Sequence, residues 1–185
     1  MKRRLIFCLA LAAACLLLAA SIVAQAAPAS QPSAKAAMKS AGAVLEAKSG
    51  SKLTGKAVFT EEAGGKIMLK VEIEGIAPGT HAVHIHEKGD CSAADGASAG
   101  GHWNPTAEAH GKWGTSPYHR GDIGNIEVGA DGKGSITLTT DAWAIGAGTP
   151  NDIIGKAIIV HANADDFKTQ PTGNAGGRIG CGVIK

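Results

Sequence analysis

Residues 66–75, KIMLKVEIEG, decide how the rest of this chain is read. Ile67, Leu69, Val71 and Ile73 alternate with Met68, Lys70, Glu72 and Glu74, a period of two. In an extended strand successive side chains point to opposite faces. The alternation therefore sets four aliphatic groups on a core face and mostly charged groups in solvent. The preceding EEAGGK (residues 61–66) reads as the hairpin turn from LTGKAVFTE, residues 53–61.

Working outward, the same grammar recurs. AGAVLEA (41–47) and THAVHIH (80–86) are strand-length pieces between Gly, Ser or Pro. DIGNIEVGADGKGSITLTT (122–140) holds two alternating runs around Asp131-Gly132, a hairpin signal. KAIIVHA (156–162) has the continuous apolar character of a fully buried strand, and GRIGCGVIK (177–185) supplies a last one. No stretch holds a period of 3.6, and DAWAIGAGTPND (141–152) is too Gly-rich for a helix. About eight short strands predict an all-β sandwich or barrel. Between Glu87 and Gly121 lies a long irregular stretch, which in such a domain needs something other than packing to order it. A metal would do so.

The first 26 residues read as a signal peptide: Lys2, Arg3 and Arg4, an apolar run from Leu5 to Val23, then the cleavage signal Ala24-Gln25-Ala26. A membrane anchor is the competing reading, disfavoured by that signal and by the Ala-rich run. Residues 27–40, APASQPSAKAAMKS, have no apolar face and read as a flexible tether to one domain over 41–185. Cleavage takes the formal charge from +2 to −1, so the basic pI of the whole chain carries no implication of nucleic acid, and no stable membrane insertion is expected afterwards. It also removes Cys8 and Cys15. Cys91 and Cys181 remain, and two cysteines in an exported domain read as one disulfide.

Six of the seven histidines, with one aspartate, are candidates for chemistry. His84 and His86 share a strand face, whereas His81, at odd parity, points away. His102, His110, His119 and Asp122 follow on the irregular stretch, and three imidazoles with a carboxylate make a tetrahedral zinc set. His161 ends the buried run KAIIV, where an unpartnered imidazole is costly. Seven ligands exceed what one four-coordinate ion needs, so two ions or a shared ligand is the economical count.

These residues resemble the copper/zinc superoxide dismutases. HAVHIHEKGDC (81–91), GGHWNP (100–105), YHRGDIGN (118–125), VHANADD (160–166) and TGNAGGRIGCGVI (172–184) occur in the family's order across residues 41–185. Cys91, five residues after His86, is similar to the bacterial periplasmic branch. The resemblance implies an eight-stranded antiparallel Greek-key barrel or sandwich, immunoglobulin-like, with long metal-binding and electrostatic loops. It implies one copper per subunit on His84, His86, His102 and His161, and one zinc on His102, His110, His119 and Asp122, with His102 bridging. Arg178 matches the arginine that guides the anion, Asp165 a carboxylate linking His84 to His110, and Cys91 with Cys181 the family disulfide. His81 matches a structural histidine. The implied activity is dismutation of superoxide to O2 and H2O2 in the periplasm, protecting the cell envelope, by a monomer or a homodimer. A module that stores or delivers copper or zinc is the competing function; the presence of every ligand and of Arg178 favours the enzyme. The three tryptophans read as packing, and residues 141–155 carry no assigned role.

Overall fold

The computed structural model describes residues 38–185; the expected signal peptide and all of the expected tether but Met38, Lys39 and Ser40 lie outside the described residues. Eight strands occur: β1 (Ser40–Ala47), β2 (Thr54–Glu61), β3 (Ile67–Glu74), β4 (Gly79–His86), β5 (Gly124–Val128), β6 (Lys133–Thr140), β7 (Ala157–His161) and β8 (Arg178–Val183). All pair antiparallel and close into a barrel in the order β1-β2-β3-β6-β5-β4-β7-β8. The β3–β4 and β6–β7 connections cross from one meander to the next, the Greek-key arrangement. The β5–β6 and β1–β8 seams are the thinnest of the barrel, with one and two register pairs respectively.

The alternation in residues 66–75 is realised as expected. Ile67, Leu69, Val71 and Ile73 are all at most 3% exposed and line the barrel, with Phe59, Val83, Ile85, Ile126, Ile158 and Val160. At both hairpins the turn glycines take positive φ, Gly64 and Gly65 before β3 and Gly132 before β6, where a side chain would be strained. Residues 141–155 form the β6–β7 crossover without a helix, stitched by a bridge between Ala144 and Asp152. The Asp152 carboxylate accepts the backbone N–H groups of Gly146, Gly148 and Ile154.

What positions the site is that β4 and β7 are buried on both faces. Val83 and Ile85 point into the barrel, so His84 and His86, at opposite parity, stand on its outer wall. The irregular segment from Glu87 to Ile123, with a single 3-10 turn at Ala97–Ala99, folds over that wall. A bridge between His86 and His102 fastens it to the end of β4. A second small core of Ala99, Ala157, Ile159 and Cys181 fills the space under it. The Cys91–Cys181 disulfide then ties the segment to β8.

Candidate metal centre

Two four-residue groups converge on the outer wall. His84, His86, His102 and His161 form one; His102, His110, His119 and Asp122 form the other; within each, one ligand atom per residue lies within 4.8 Å of the rest. All seven residues are buried, and His102 belongs to both groups. These are the residues singled out above, in the same two sets.

The tautomers follow from what each ring touches on its outer side. His86 Nδ1 faces the carbonyl of Gly100 at 2.9 Å, and His161 Nδ1 faces that of Gly176 at 3.4 Å. A carbonyl only accepts, so each Nδ1 carries the proton and each Nε2 presents a lone pair. Those two Nε2 atoms face each other at 3.4 Å. His84 donates from Nε2 to Asp165, and His102 from Nδ1 to Asp122, leaving His84 Nδ1 and His102 Nε2 buried with no hydrogen-bond partner. Four imidazole lone pairs thus converge on one spot. That arrangement is repulsive unless a cation sits among them, and an all-nitrogen set suits copper.

The second group differs in carrying charge. Asp122 Oδ1 lies 2.8 Å from His102 Nδ1 and 3.2 Å from His119 Nδ1, while Oδ2 lies 3.0 Å from His110 Nδ1. That last nitrogen is out of line for a hydrogen bond and has no other partner. Oδ2 is oriented by the N–H groups of His119 and Gly111. Three imidazoles and one carboxylate fit a tetrahedral zinc ion.

The electrostatics match this division. Burial pushes His86 and His161 well below their ordinary value, with neighbouring imidazoles and Arg178 adding to it. Burial takes His102 down to about 4, only partly offset by Asp122. Burial also acts against His110, but Asp122 and Asp165 together outweigh it and raise that ring to about 9. For Asp122, burial favours the neutral acid, yet contacts with His102, His110 and His119 hold it far below the usual carboxylate range. His86, His102 and His161 are thus favoured as neutral nitrogens, while His110 is favoured in its positive form beside the Asp122 anion.

The supports come from the segment between β7 and β8 and from β5 and β8. Asp165 accepts from His84 Nε2 and His110 Nε2, each at 2.9 Å, one on each oxygen. Its own backbone is clamped by Asn125, which donates to the Asp165 carbonyl and accepts its N–H. Gln170 grips the backbone of His110 in the same two-point way. Gly173 must be glycine, because a Cβ there would collide with Asp165 Oδ1 and lie 2.6 Å from His110 Nε2. In β8, Arg178 pairs across with His161 at a slip in register between Val160 and His161, a bulge that re-aims the histidine. Its guanidinium donates to Gly96 and Gly100 carbonyls at 2.7 Å each. His81 stands apart from both groups, its ring nitrogens on the carbonyls of His161 and Ala77.

The family model for copper/zinc superoxide dismutase matches residues 53–184. The chain belongs to that family. A curated relative, Superoxide dismutase [Cu-Zn] of Caulobacter vibrioides, is 42% identical over 148 residues, covering 77% of this chain and 85% of the relative. Among solved structures, the clock protein EA4 superimposes with a TM-score of 0.70 at 37% identity, covering 78% of this chain and 92% of that one. A double mutant of a SOD-like protein from Bacillus subtilis gives 0.68 at 36%, covering 76% and 94%. Copper and zinc are accordingly the metals of this chain, superoxide its substrate and dismutation its activity.

The sequence did not point to Asn125, Gln170 or the carbonyls of Gly100 and Gly176 as parts of the site. Backbone acceptors leave no residue-type signal, and the two amides act over 40 and 60 residues of chain.

Proposed function

We propose that copper is held by His84 Nδ1, His86 Nε2, His102 Nε2 and His161 Nε2. Zinc is held by His102 Nδ1, His110 Nδ1, His119 Nδ1 and Asp122, so that His102 bridges the two ions. The observation that carries this reading is the inward convergence of the four lone pairs, each fixed by an outward donor contact of its own ring. The chemistry that bound copper supplies is a one-electron couple that converts two superoxide ions and two protons to O2 and H2O2.

The rest is the work of the chain. His102 Nε2 is buried without a protein partner, so when free of metal it can take a proton and return it. In the metal-free chain Asp122 holds the opposite nitrogen, Nδ1, at 2.8 Å, so the ring is already oriented before zinc would take over that nitrogen. Arg178 is half-buried and fixed by two carbonyls, one of which, Gly100, also holds His86. A guanidinium stays charged in such a setting and offers its remaining donors to a small anion beside the copper set. Asp165 ties the two metal sets together by orienting one histidine of each.

The segments before residue 38 fit export: cleavage after residue 26, a tether over 27–40 and a domain from 41, placing the enzyme in the periplasm as a shield for the cell envelope. The test is metal analysis beside superoxide turnover. One copper and one zinc per chain are expected. His161→Ala should lose copper and turnover, His119→Ala zinc, while His81→Ala keeps both metals. A fully loaded protein without turnover would leave a metal store instead.

A further inference from the structure

Trp143 sits in the β6–β7 crossover, a segment that none of the metal ligands belongs to, and is 3% exposed. A buried indole N–H needs an acceptor, and this one donates to the carbonyl oxygen of Arg120 at 2.9 Å. Arg120 lies between His119 and Asp122, in the turn closed by the bond from Asp122 N–H to the His119 carbonyl at 3.1 Å. The indole is itself anchored on both sides. Its ring meets Phe59 of the barrel core edge-on at 5.9 Å and Trp113 of the zinc segment at 5.2 Å; Trp113 in turn packs on Tyr118, next to His119.

We propose that Trp143 is a positioning residue for the zinc site: its indole N–H holds the Arg120 peptide and so sets the spacing of His119 and Asp122 before the metal arrives. The crossover is rigid enough to serve as the support. Asp152 gathers three of its backbone N–H groups, and Ile145 and Ile153 are buried beneath it. Arg120 lies outside the strands, so its carbonyl takes this bond rather than one in a sheet ladder. The proposal rests on the reading of His102, His110, His119 and Asp122 as the zinc set.

The experiment uses the mature metal-free protein and zinc or copper ions in chelator competition. Trp143→Phe keeps an aromatic ring and removes the donor. It should weaken zinc by about tenfold or more, the range found when outer partners of metal ligands are removed. Copper affinity should stay within threefold, and the visible bands of Co(II) placed in the zinc site should shift. Trp113→Phe leaves the Trp143 bond intact and should hold zinc affinity within threefold. An equal loss in both variants would assign the effect to packing and overturn the proposal, as would unchanged zinc affinity in Trp143→Phe. His119→Ala separates the two levels: if it too keeps full zinc affinity, the zinc assignment falls and the strut with it. In the unmodified protein the Trp143 indole proton should exchange slowly without metal and shift on zinc addition; rapid exchange with no shift would overturn the proposal without any variant.

Discussion

His84 and His110 hang on the two oxygens of one carboxylate, Asp165, at 2.9 Å each. One ring belongs to the copper-type set and the other to the zinc-type set, so the pair couples the two sets through a carboxylate that belongs to neither. An amide at this position keeps one acceptor and turns the other atom into a donor. Asp165→Asn should therefore misorient one of the two histidines and weaken metal retention by about 10–100-fold. Dialysis against chelators of graded strength, followed by metal analysis, checks this. Equal retention in variant and wild type would show that the two rings are held by packing alone.

Arg178 spans the carbonyls of Gly96 and Gly100 with two nitrogens, a fork that a lysine cannot reproduce. Arg178→Lys keeps the positive charge but loses the two-point hold, and Arg178→Ala loses both. Superoxide turnover should fall by about tenfold in the alanine variant, equivalent to about 1.4 kcal/mol in the barrier, and by less in the lysine variant. Both should retain copper and zinc. Raising ionic strength should slow the wild type and the lysine variant more than the alanine variant, because screening acts on the charge.

The fold was legible where its signal is local. The alternation from Ile67 to Ile73 needs only neighbouring residues, and burial of its apolar half follows directly. The side chains that converge were legible as well, since strand parity separates His84 and His86 from His81, and the motifs order the remainder. What escaped is set by pairing between distant strands. The slip between Val160 and His161 exists only against β8, so no window around KAIIV contains it. Asn125, Gln170 and Trp143 likewise act on Asp165, His110 and Arg120 across 40, 60 and 23 residues. Residues 141–155 escaped for a different reason: their order comes from short-range bonds of the Asp152 carboxylate to the N–H groups of Gly146, Gly148 and Ile154, which leave no periodic pattern.

The disulfide joins Cys91 to the fully buried Cys181 across 90 residues of chain, and the loop it closes carries the Gly96 and Gly100 carbonyls that hold Arg178. Replacing both cysteines by serine should destabilise the metal-free domain by about 2–5 kcal/mol. Thermal unfolding with and without reductant reads this: the wild type should drop on reduction, whereas the double variant should not respond. Turnover should also fall in the variant at temperatures where it remains folded, because Arg178 loses its fixed frame. Full turnover there would separate the arginine's placement from the disulfide.

Acid should destabilise the metal-free domain well before its carboxylates titrate. His102 is held at about 4 when folded and returns to its ordinary 6.5 when unfolded, so between those values the unfolded chain binds more protons. Stability is therefore lost as pH falls from 6.5 to 4, and His86 and His161, also depressed by burial, act in the same direction. His110 does not cancel this. Raised to about 9, it is already protonated in the folded state; its contribution is complete below 6.5 and drains only as pH rises toward 9. Asp122 and Asp165 stay ionised when folded, and their contribution declines only near and below the ordinary carboxylate value. Melting curves of the metal-free protein should thus fall by several degrees between pH 6.5 and 4. The loaded protein should change less over the same range, since metal occupies the nitrogens until protons displace it. His102→Gln should flatten the metal-free profile, and a variant with the wild-type slope would place the acid sensitivity outside His102.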